Sequence, residues 1–435
     1  MRRLWRQRVL SVALTIAVSI ATLGSARAEG EEAAKPYGVY TPNAGFRLAD
    51  SESGTLNFRI YAYVRYLNQL GLDETYTDAF GNTTTLDRRN DILFQKVNIQ
   101  FDGWLMSQKF RYFGYVWTSN TSQGLGAQVV VGGNLNYAFN PYVTLGGGID
   151  ALPGVRATEG NFPFWLTVDN RLMADEFFRP SYTMGIWAKG KVVDRLTYRF
   201  MLGNNLSQLG VDAGQLDDKL NTISTALIWY PTTGEYGTRG GFGDFDDHEQ
   251  VATRLGVHFT SSTETRQGQP DTEAFENVQI RLSDGSVIFT PGLFATGIQV
   301  EEANYRMFSA DAGAKYRGFA LEGEYYWRWV NGFRTRGTGN LTFDELTDTG
   351  FQLQGSAMVL PSTLQLYLTG SKIFGDYGDP WETRFGANWF PWKNFVVRWN
   401  FEYLHTDRCP VGGLSLPYLL GGTGDIFYSS FQVNF

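Results

Sequence analysis

Histidine is the side chain best suited to acid–base catalysis near neutral pH, and this 435-residue chain contains three of them. His405 lies in an alternating stretch near Glu402 and Asp407. No serine stands two residues before or after His405, as a nucleophile and base on one strand face require. The sequence also lacks Cys/His metal spacing, a phosphate-binding glycine loop and a dinucleotide motif. It therefore predicts a protein that is not an enzyme and holds no cofactor or metal.

Charged side chains instead recur at every second position of otherwise apolar segments. In 319–330, one set of alternate residues is apolar, while the other includes Glu322, Glu324 and Arg328. Since successive side chains of a strand point to opposite faces, this stretch predicts a strand with one apolar and one charged face. Each half of the hairpin 304–330 matches the roughly 9–11 tilted residues that cross a bilayer as a strand. A wall with lipid outside and water inside requires this arrangement.

The same alternation recurs along the chain and predicts an all-β fold. We place sixteen strands, at 54–67, 91–104, 108–119, 126–137, 140–150, 181–192, 195–204, 219–230, 250–262, 303–316, 319–331, 349–360, 364–373, 381–390, 395–407 and 424–435. An even number is expected for a transmembrane antiparallel β-barrel with both termini in the periplasm. Connections after even-numbered strands are mostly tight, and those after odd-numbered strands are mostly longer, as short periplasmic turns and long outer loops would be. The long connection 231–249 breaks this rule.

The first residues predict export. Arginines precede an apolar run from Val9 to Leu23, and small residues up to Ala28 fit a signal-peptidase site. We assign 1–28 as a cleaved signal peptide, 29–53 as a periplasmic N-terminal segment and 54–435 as the barrel. An N-terminal membrane helix is the alternative for the first segment. The last strand ends in the aromatic Phe435, which resembles outer-membrane barrels that are inserted through recognition of that terminus.

Charge and cysteine content narrow the possible partners. The chain has a net charge of −7, and removing the arginine-rich 1–28 makes it more acidic, which argues against a nucleic-acid partner. The lone Cys409 cannot form an internal disulfide; it is either incidental or pairs between subunits. Many acids lie in connections such as 73–87 and 244–247. They are either solvated or bridge through divalent cations to lipopolysaccharide phosphates.

The inward faces of the predicted strands carry more basic than acidic residues. The basic residues are Arg59, Arg65, Lys96, Lys189, Arg199, Arg254, Lys315, Arg328, Arg384 and Arg398. The acidic residues are Asp102, Asp311, Glu322, Glu324, Glu382 and Glu402. Since charged rings at the narrowest point set the selectivity of a pore, this wall favours anions.

The third loop, 151–180, is the predicted constriction. It carries more apolar surface than a freely solvated loop, with Phe162, Phe164, Trp165, Leu166, Leu172, Met173, Phe177 and Phe178. Packed against the inner wall, it would present Arg156, Arg171 and Arg179 together with Asp169, Asp175 and Glu176. The alternative is a loop packed on the rim or against a neighbouring subunit.

Three segments carry a family resemblance. The hairpin KYRGFALEGEYYWR, the segment GFRLADSESGTLNFRIYAYVRYL and the strand LGVHFTSS resemble the phosphate-selective porin O/P type. The resemblance implies a sixteen-stranded, trimeric anion channel of a Gram-negative outer membrane. It further implies that inward basic residues guide anions to a constriction made by the infolded third loop. The matching positions here are Arg59, Arg65 and the arginines of that loop.

Taken together, these patterns predict an outer-membrane porin for passive diffusion of small hydrophilic solutes, with a modest preference for phosphate-like or carboxylate anions. The alternatives are a general or cation-preferring porin, or a barrel with a structural, adhesive or hydrolase role. The expected surroundings are lipid and lipopolysaccharide. Glycines at 132, 133 and 146–148 predict close approach by either a neighbouring subunit of a homotrimer or the infolded loop.

Overall fold

The structure is a computed structural model that describes residues 38–42, 44–119, 128–158, 164–209, 211, 219–269, 279–413 and 416–435. The signal-peptide prediction for 1–28 lies outside the described residues, as do the beginning of the 29–53 segment and Phe162 of the third loop. No helix within these ranges has both the length and the apolar character needed to cross a membrane.

Sixteen strands form a closed antiparallel barrel, which confirms the predicted fold class. In the described ranges the strands are β1 (Val39–Thr41), β2 (Gly45–Ser51), β3 (Gly54–Leu72), β4 (Thr75–Thr77), β5 (Thr83–Thr85), β6 (Asn90–Leu105), β7 (Ser107–Ser119), β8 (Gln128–Asn140), β9 (Val143–Ala151), β10 (Tyr182–Val193), β11 (Leu196–Gly203), β12 (Thr222–Trp229), β13 (Ala252–Thr265), β14 (Ile298–Tyr316), β15 (Phe319–Gly337), β16 (Glu345–Leu360), β17 (Leu364–Phe374), β18 (Trp381–Trp389), β19 (Val397–Asp407) and β20 (Gly424–Asn434). The barrel consists of β3 and β6–β20, and β20 pairs with β3 to close it. Most short connections lie at one end, here called the turn end, and most long ones at the other, called the loop end. The long 231–249 connection lies at the turn end.

The N-terminal segment contributes strands that the sequence did not predict. β2 pairs antiparallel with the first residues of β3, from Ser51 opposite Gly54 to Phe46 opposite Phe58. β20 pairs with β3 only from Tyr61 onwards, so the beginning of β3 has a free edge at the turn end. β2 occupies that edge and satisfies its backbone hydrogen bonds, although it is too short to show a clear period.

The alternation assigns the two faces of the wall correctly in β15. Phe319 and Leu321 are 66% and 58% exposed on the outside, whereas Glu324 and Arg328 are 4% and 1% exposed on the inside. A shift of one residue would have inverted every face, so the period of two is a reliable guide to orientation.

An apolar core fills much of the barrel interior. It joins the third loop, through Val155 and the residues of the short helix α1 (Met173–Phe178), to the inward faces of β14 and β15. Ile288, from the connection after β13, and Tyr418, from the connection after β19, complete it from the loop end. Cys409 is fully buried in the same core, which leaves it inaccessible for pairing between subunits.

Candidate functional site

The third loop lies inside the barrel, and inward arginines of the wall hold its backbone. Arg398 donates to the carbonyl of Trp165 at 2.5 Å, and Arg65 donates to the carbonyl of Val168 at 3.0 Å. The loop there belongs to neither a helix nor a strand, so its carbonyls need partners from elsewhere. Guanidinium groups suit this role because each presents several donors in a fixed fork.

Arg384 is the centre of a buried cluster that anchors the loop just before α1. Its guanidinium lies 2.8 Å from Glu382 and 3.2 Å from Glu402, and all three side chains are fully buried. It also donates to the side-chain oxygen of Asn170 at 3.1 Å and to the carbonyl of Arg171 at 2.7 Å. Charges removed from water require such paired and hydrogen-bonded surroundings. The cluster therefore ties β18 and β19 to the third loop.

The opposite side of the loop is held in the same way. Asp169 accepts a hydrogen bond from Tyr63 at 2.8 Å and pairs with Lys96 of β6. At the beginning of the loop, Arg156 lies 3.0 Å from Glu322 of β15. The loop is thus fixed to strands on both sides of the barrel.

His258 and Arg254 of β13 meet at a single carboxylate. Nε2 of His258 and Nε of Arg254 each lie 2.9 Å from Asp311, while Nδ1 of His258 donates to the carbonyl of Pro153 at 3.0 Å. This histidine therefore connects the wall to the third loop.

Four further charges among the described residues of the third loop pair with one another. Arg179 lies 2.9 Å from Glu176, and Arg171 lies 3.5 Å from Asp175 and 3.7 Å from Glu176. The structure places the six predicted loop charges inside the barrel, and these four are at most 15% exposed at their side chains. They form a neutralised cluster instead of a row that faces water.

The structure consequently places most of the predicted pore-lining cations beneath the infolded segments. Those at most 5% exposed are Arg65, Lys96, Arg156, Arg254, Lys315, Arg328, Arg384 and Arg398. Alternation predicts the inward orientation of the strand residues among them, and the apolar surface of the third loop predicts that it packs on the wall. Which of these cations the loop would cover could not be derived from either pattern. Three predicted residues, Arg59, Lys189 and Arg199, line cavities that remain open.

One sector of the lumen stays open, along the inner faces of β6–β11. A cavity of about 550 Å³ lies there, lined by Asp102, Gly103, Arg111, Tyr112, Phe113, Tyr115, Asn134, Asn136, Ile149, Asp150, Tyr182, Lys189 and Arg199. We call it the open sector. Among the described residues, Arg111, Lys189 and Arg199 have no carboxylate within ion-pair distance. Arg111 was missed because the alternation of its strand is weak.

Glycines make room for the aromatic side chains around the open sector. A Cβ at Gly132 would lie 2.5 Å from the ring of Tyr115, and one at Gly146 would lie 2.2 Å from the indole nitrogen of Trp187. Trp187 donates to Asn136 at 2.9 Å across the space that Gly146 leaves. Gly132 and Gly146 therefore make room for side chains inside the barrel. Gly133 has the opposite parity on β8 and faces outward.

A second cavity, of about 390 Å³, lies at the turn end and is here called the turn-end cavity. Its lining comprises Val39, Thr41, Ala44, Gly45, Arg47, Asp50, Asn57, Arg59, Asp102 and Arg239. Asp102 lines this cavity and the open sector, so the two spaces adjoin.

The 231–249 connection, which the sequence analysis left unexplained, folds into the barrel from the turn end. Lys315 of β14 donates to the carbonyls of Tyr236 and Gly241 at 2.9 and 2.6 Å. The backbone NH of Phe242 donates to the carbonyl of Phe164 in the third loop at 2.9 Å. The two infolded segments therefore meet inside the lumen and narrow it together.

His248 fastens the end of this connection. Its Nδ1 contacts Asp244, its Nε2 lies 3.3 Å from Glu235, and Asp244 also accepts the backbone NH of Gly318 at 2.8 Å. Burial alone would lower the pKa of His248, but the hydrogen bonds to Asp244 and Glu235 outweigh it and raise the pKa above its ordinary value. The protonated ring therefore stabilises the connection below about pH 6.5, and that contribution is lost as the pH rises through the raised pKa.

Asp244→Asn is expected to lower the pKa of His248, because an amide offers the imidazolium no negative charge. The measurement is an NMR titration of the His248 ring in detergent-solubilised protein. Asp247→Asn is the matched control, since Asp247 is an exposed neighbour in the same connection. Equal pKa values in wild type and the Asp244 variant would contradict the assigned contact.

Comparison with known proteins supports the fold. No protein-family model matches the chain, and no curated protein matches it in sequence. The outer membrane channel DcaP of Acinetobacter baumannii matches with a TM-score of 0.54 at 8% identity, over 90% of this chain and 100% of that one. An anion-selective porin from Comamonas acidovorans matches with a TM-score of 0.53 at 10% identity, over 88% and 100%.

A third solved structure is the trimer form of OmpT, an outer membrane protein of Vibrio cholerae. It matches with a TM-score of 0.52 at 9% identity, over 88% of this chain and 100% of that one. At such identities the likeness concerns the fold alone. The chain is thus similar, over nearly nine-tenths of its length, to the barrels of outer-membrane channels and porins.

Proposed function

We propose that the protein is a porin of a Gram-negative outer membrane, exported with a cleaved signal peptide and surrounded by lipid and lipopolysaccharide. It lets small hydrophilic solutes diffuse passively and modestly prefers anions, with phosphate-like and carboxylate solutes as the expected class. The observation that carries the proposal is the contrast between two parts of the wall. The cations beneath the infolded segments are engaged by carboxylates or by backbone carbonyls. Arg111, Lys189 and Arg199 instead face the open sector without a carboxylate partner among the described residues.

The arrangement favours anions for electrostatic reasons. Three cations face two carboxylates, Asp102 and Asp150, in the lining of the open sector. A narrow aqueous space with low-dielectric walls focuses the field of these charges and raises the local concentration of anions. The guanidinium groups can in addition grip an oxyanion with two parallel hydrogen bonds. Because Asp102 and Asp150 oppose this attraction, the expected result is a preference and not an exclusive anion site.

The test is the reversal potential of the purified protein in a planar bilayer with a potassium chloride gradient. A potential favouring chloride is expected. A cation-selective channel would overturn the anion preference but leave the pore intact. A barrel that does not conduct would overturn the pore and favour the structural or adhesive alternative. The expectation that the chain is not an enzyme stays a prediction.

A homotrimer is the second part of the proposal, supported by glycines on the outer face. Gly133 lies opposite Gly114 in the β7–β8 pairing, between the exposed Val131 and Leu135. Two adjacent glycines leave a shallow depression, and glycine in a strand often marks the close approach of another surface. The trimer form of the fold-related OmpT agrees with this assignment.

Gly133→Trp is expected to reduce the trimer fraction, because a large side chain would fill the depression. Light scattering of the solubilised protein measures the fraction, and circular dichroism checks that the barrel has formed. Gly355→Trp is the control, since Gly355 lies on the distant β16 and its Cβ would meet nothing closer than 3.9 Å. The same trimer fraction in both variants would contradict this interface.

A further inference from the structure

The lining of the turn-end cavity has three arginines and only two carboxylates. Arg47 lies 2.8 Å from Asp50, and Arg59 lies 3.1 Å from Asp102. Asn57 also donates to Asp102, at 3.0 Å, so both carboxylate oxygens of Asp102 already have a partner. Arg239 lines the same cavity, and no carboxylate among the described residues lies within ion-pair distance of it. Its guanidinium is therefore the unmatched charge of this space.

The 231–249 connection holds Arg239 in a conformation that is unfavourable for a residue with a side chain. Its φ is +52°, in the left-handed region, within the short 3₁₀ turn Thr238–Gly240. Asp246 accepts the backbone NH of Thr238 at 2.6 Å, and Glu235 accepts that of Gly237 at 2.6 Å. Surrounding contacts thus hold Arg239 in a backbone conformation that residues with a side chain rarely adopt, and they fix the position of its side chain in the cavity.

The guanidinium of Arg239 lies against an aromatic ring, and its N–H groups have no partner among the described residues. Its central carbon lies 5.5 Å from the ring centre of Phe164 in the third loop, a cation–π distance. Its donor hydrogens have no hydrogen-bond partner among the described residues. Nε of Arg59, buried in the same cavity, also has no partner. Two guanidinium groups therefore offer unused donors to one space.

The electrostatic environment favours an added negative charge. Burial and the neighbouring Arg59 lower the pKa of Arg239 to about 10, and Asp102 opposes them only in part. An anion between the two guanidinium groups would relieve their repulsion and satisfy the unused donors.

We propose that Arg59 and Arg239 form a binding site for a small oxyanion at the turn end of the lumen. The site is distinct from the cations of the open sector, and it rests on the proposed function because the oxyanion reaches it through the pore. A phosphate group fits, since its oxygens can accept from two planar forks at once. The carboxylate of Asp102 limits the affinity, and weak binding is what a conducting pore requires for release.

Inorganic phosphate is the probe. Phosphate added to one compartment of a bilayer is expected to reduce the chloride current, and the same concentration added to the other compartment is expected to reduce it less. In R239Q the concentration for half-maximal reduction is expected to rise by about tenfold or more, as the loss of a charge-assisted contact implies. R239K, which keeps the charge without the fork, is expected to lie between wild type and R239Q.

R47Q is the matched control, because Arg47 lines the same cavity but is already paired with Asp50. It removes one positive charge and is expected to leave the phosphate effect close to that of wild type. If R47Q and R239Q weaken the phosphate effect equally, the effect depends only on total charge in the cavity, and the binding site is overturned. Wild-type current insensitive to phosphate would overturn it too.

The proposed function and the binding site fail in different measurements. A channel that prefers chloride but does not respond to phosphate refutes the site and leaves the anion-preferring pore in place. A channel with no anion preference, whose current phosphate still reduces through Arg239, refutes the preference and supports the site. Phosphate titration of solubilised protein by calorimetry adds a readout that needs no conduction, and equal heats from wild type and R239Q would overturn the site.

Discussion

The triple variant R111E/K189E/R199E is expected to reverse the sign of the reversal potential, so that potassium permeates better than chloride. In the wild type the open sector has an excess of one positive charge, and the substitutions turn it into an excess of five negative charges. Because the charges at the narrowest accessible section determine which ion accumulates there, the chloride-to-potassium permeability ratio should fall by about tenfold or more. The effect should shrink at high ionic strength, since salt screens exposed charges.

A matched triple variant separates the open sector from total charge. Lys191, Arg195 and Arg408 are 45–51% exposed at their side chains and do not line the open sector. K191E/R195E/R408E changes the net charge by the same amount and is expected to keep the preference for chloride. If both variants shift the reversal potential equally, the selectivity does not reside in the open sector.

The sequence predicted the barrel well because orientation in a strand is a local property. A period of two requires only neighbouring residues, so the inward side of Arg328 and the outward side of Leu321 could be derived without tertiary information. The number of strands followed from repeating the same test along the chain. Alternation did not predict β2. This strand pairs with the part of β3 that extends beyond β20, and that free edge of β3 exists only once the barrel has closed.

The contacts of the inward cations could not be derived in this way. Arg384 and Arg398 meet loop residues more than two hundred positions away, and the third loop has no period that would align it with either. The open sector was obscured for another reason. On β7, Arg111 is followed by Tyr112, Phe113 and Tyr115, so large aromatic residues occupy both faces and the alternation disappears.

The 231–249 connection illustrates the same limit. Its excess length was visible in the sequence, but its path into the lumen depends on Lys315, a wall residue that supplies donors to two of its carbonyls. The sequence cannot distinguish a buried lysine that donates to backbone carbonyls from a lysine that faces solutes.

Replacing Arg384 by methionine is expected to cause the largest loss of stability of any single change considered. The substitution leaves Glu382 and Glu402 buried without their cation, and breaking a buried ion pair from one side typically costs about 3–5 kcal/mol in the free energy of unfolding. It also removes the donors to Asn170 and to the carbonyl of Arg171, which hold the third loop. The conductance of the surviving barrels should therefore rise and become noisier.

Urea unfolding followed by tryptophan fluorescence measures the first effect, and single-channel recording measures the second. R408M is the control, because Arg408 is exposed and its pair with Asp407, at 3.5 Å, belongs to a class worth at most about 1 kcal/mol. A stability loss in R384M no larger than in R408M would show that Arg384 is not the anchor described.

The triple variant R384M/E382Q/E402Q separates stability from pore width. Neutral side chains remove the penalty of unpaired buried carboxylates, so much of the lost stability should return. The conductance should nevertheless stay raised, because methionine cannot donate to the carbonyl of Arg171, and the contact between Glu382 and the backbone NH of Met173 loses its charge. If stability and conductance instead recover together, the third loop is held by its apolar packing around α1 and not by the charges of β18 and β19.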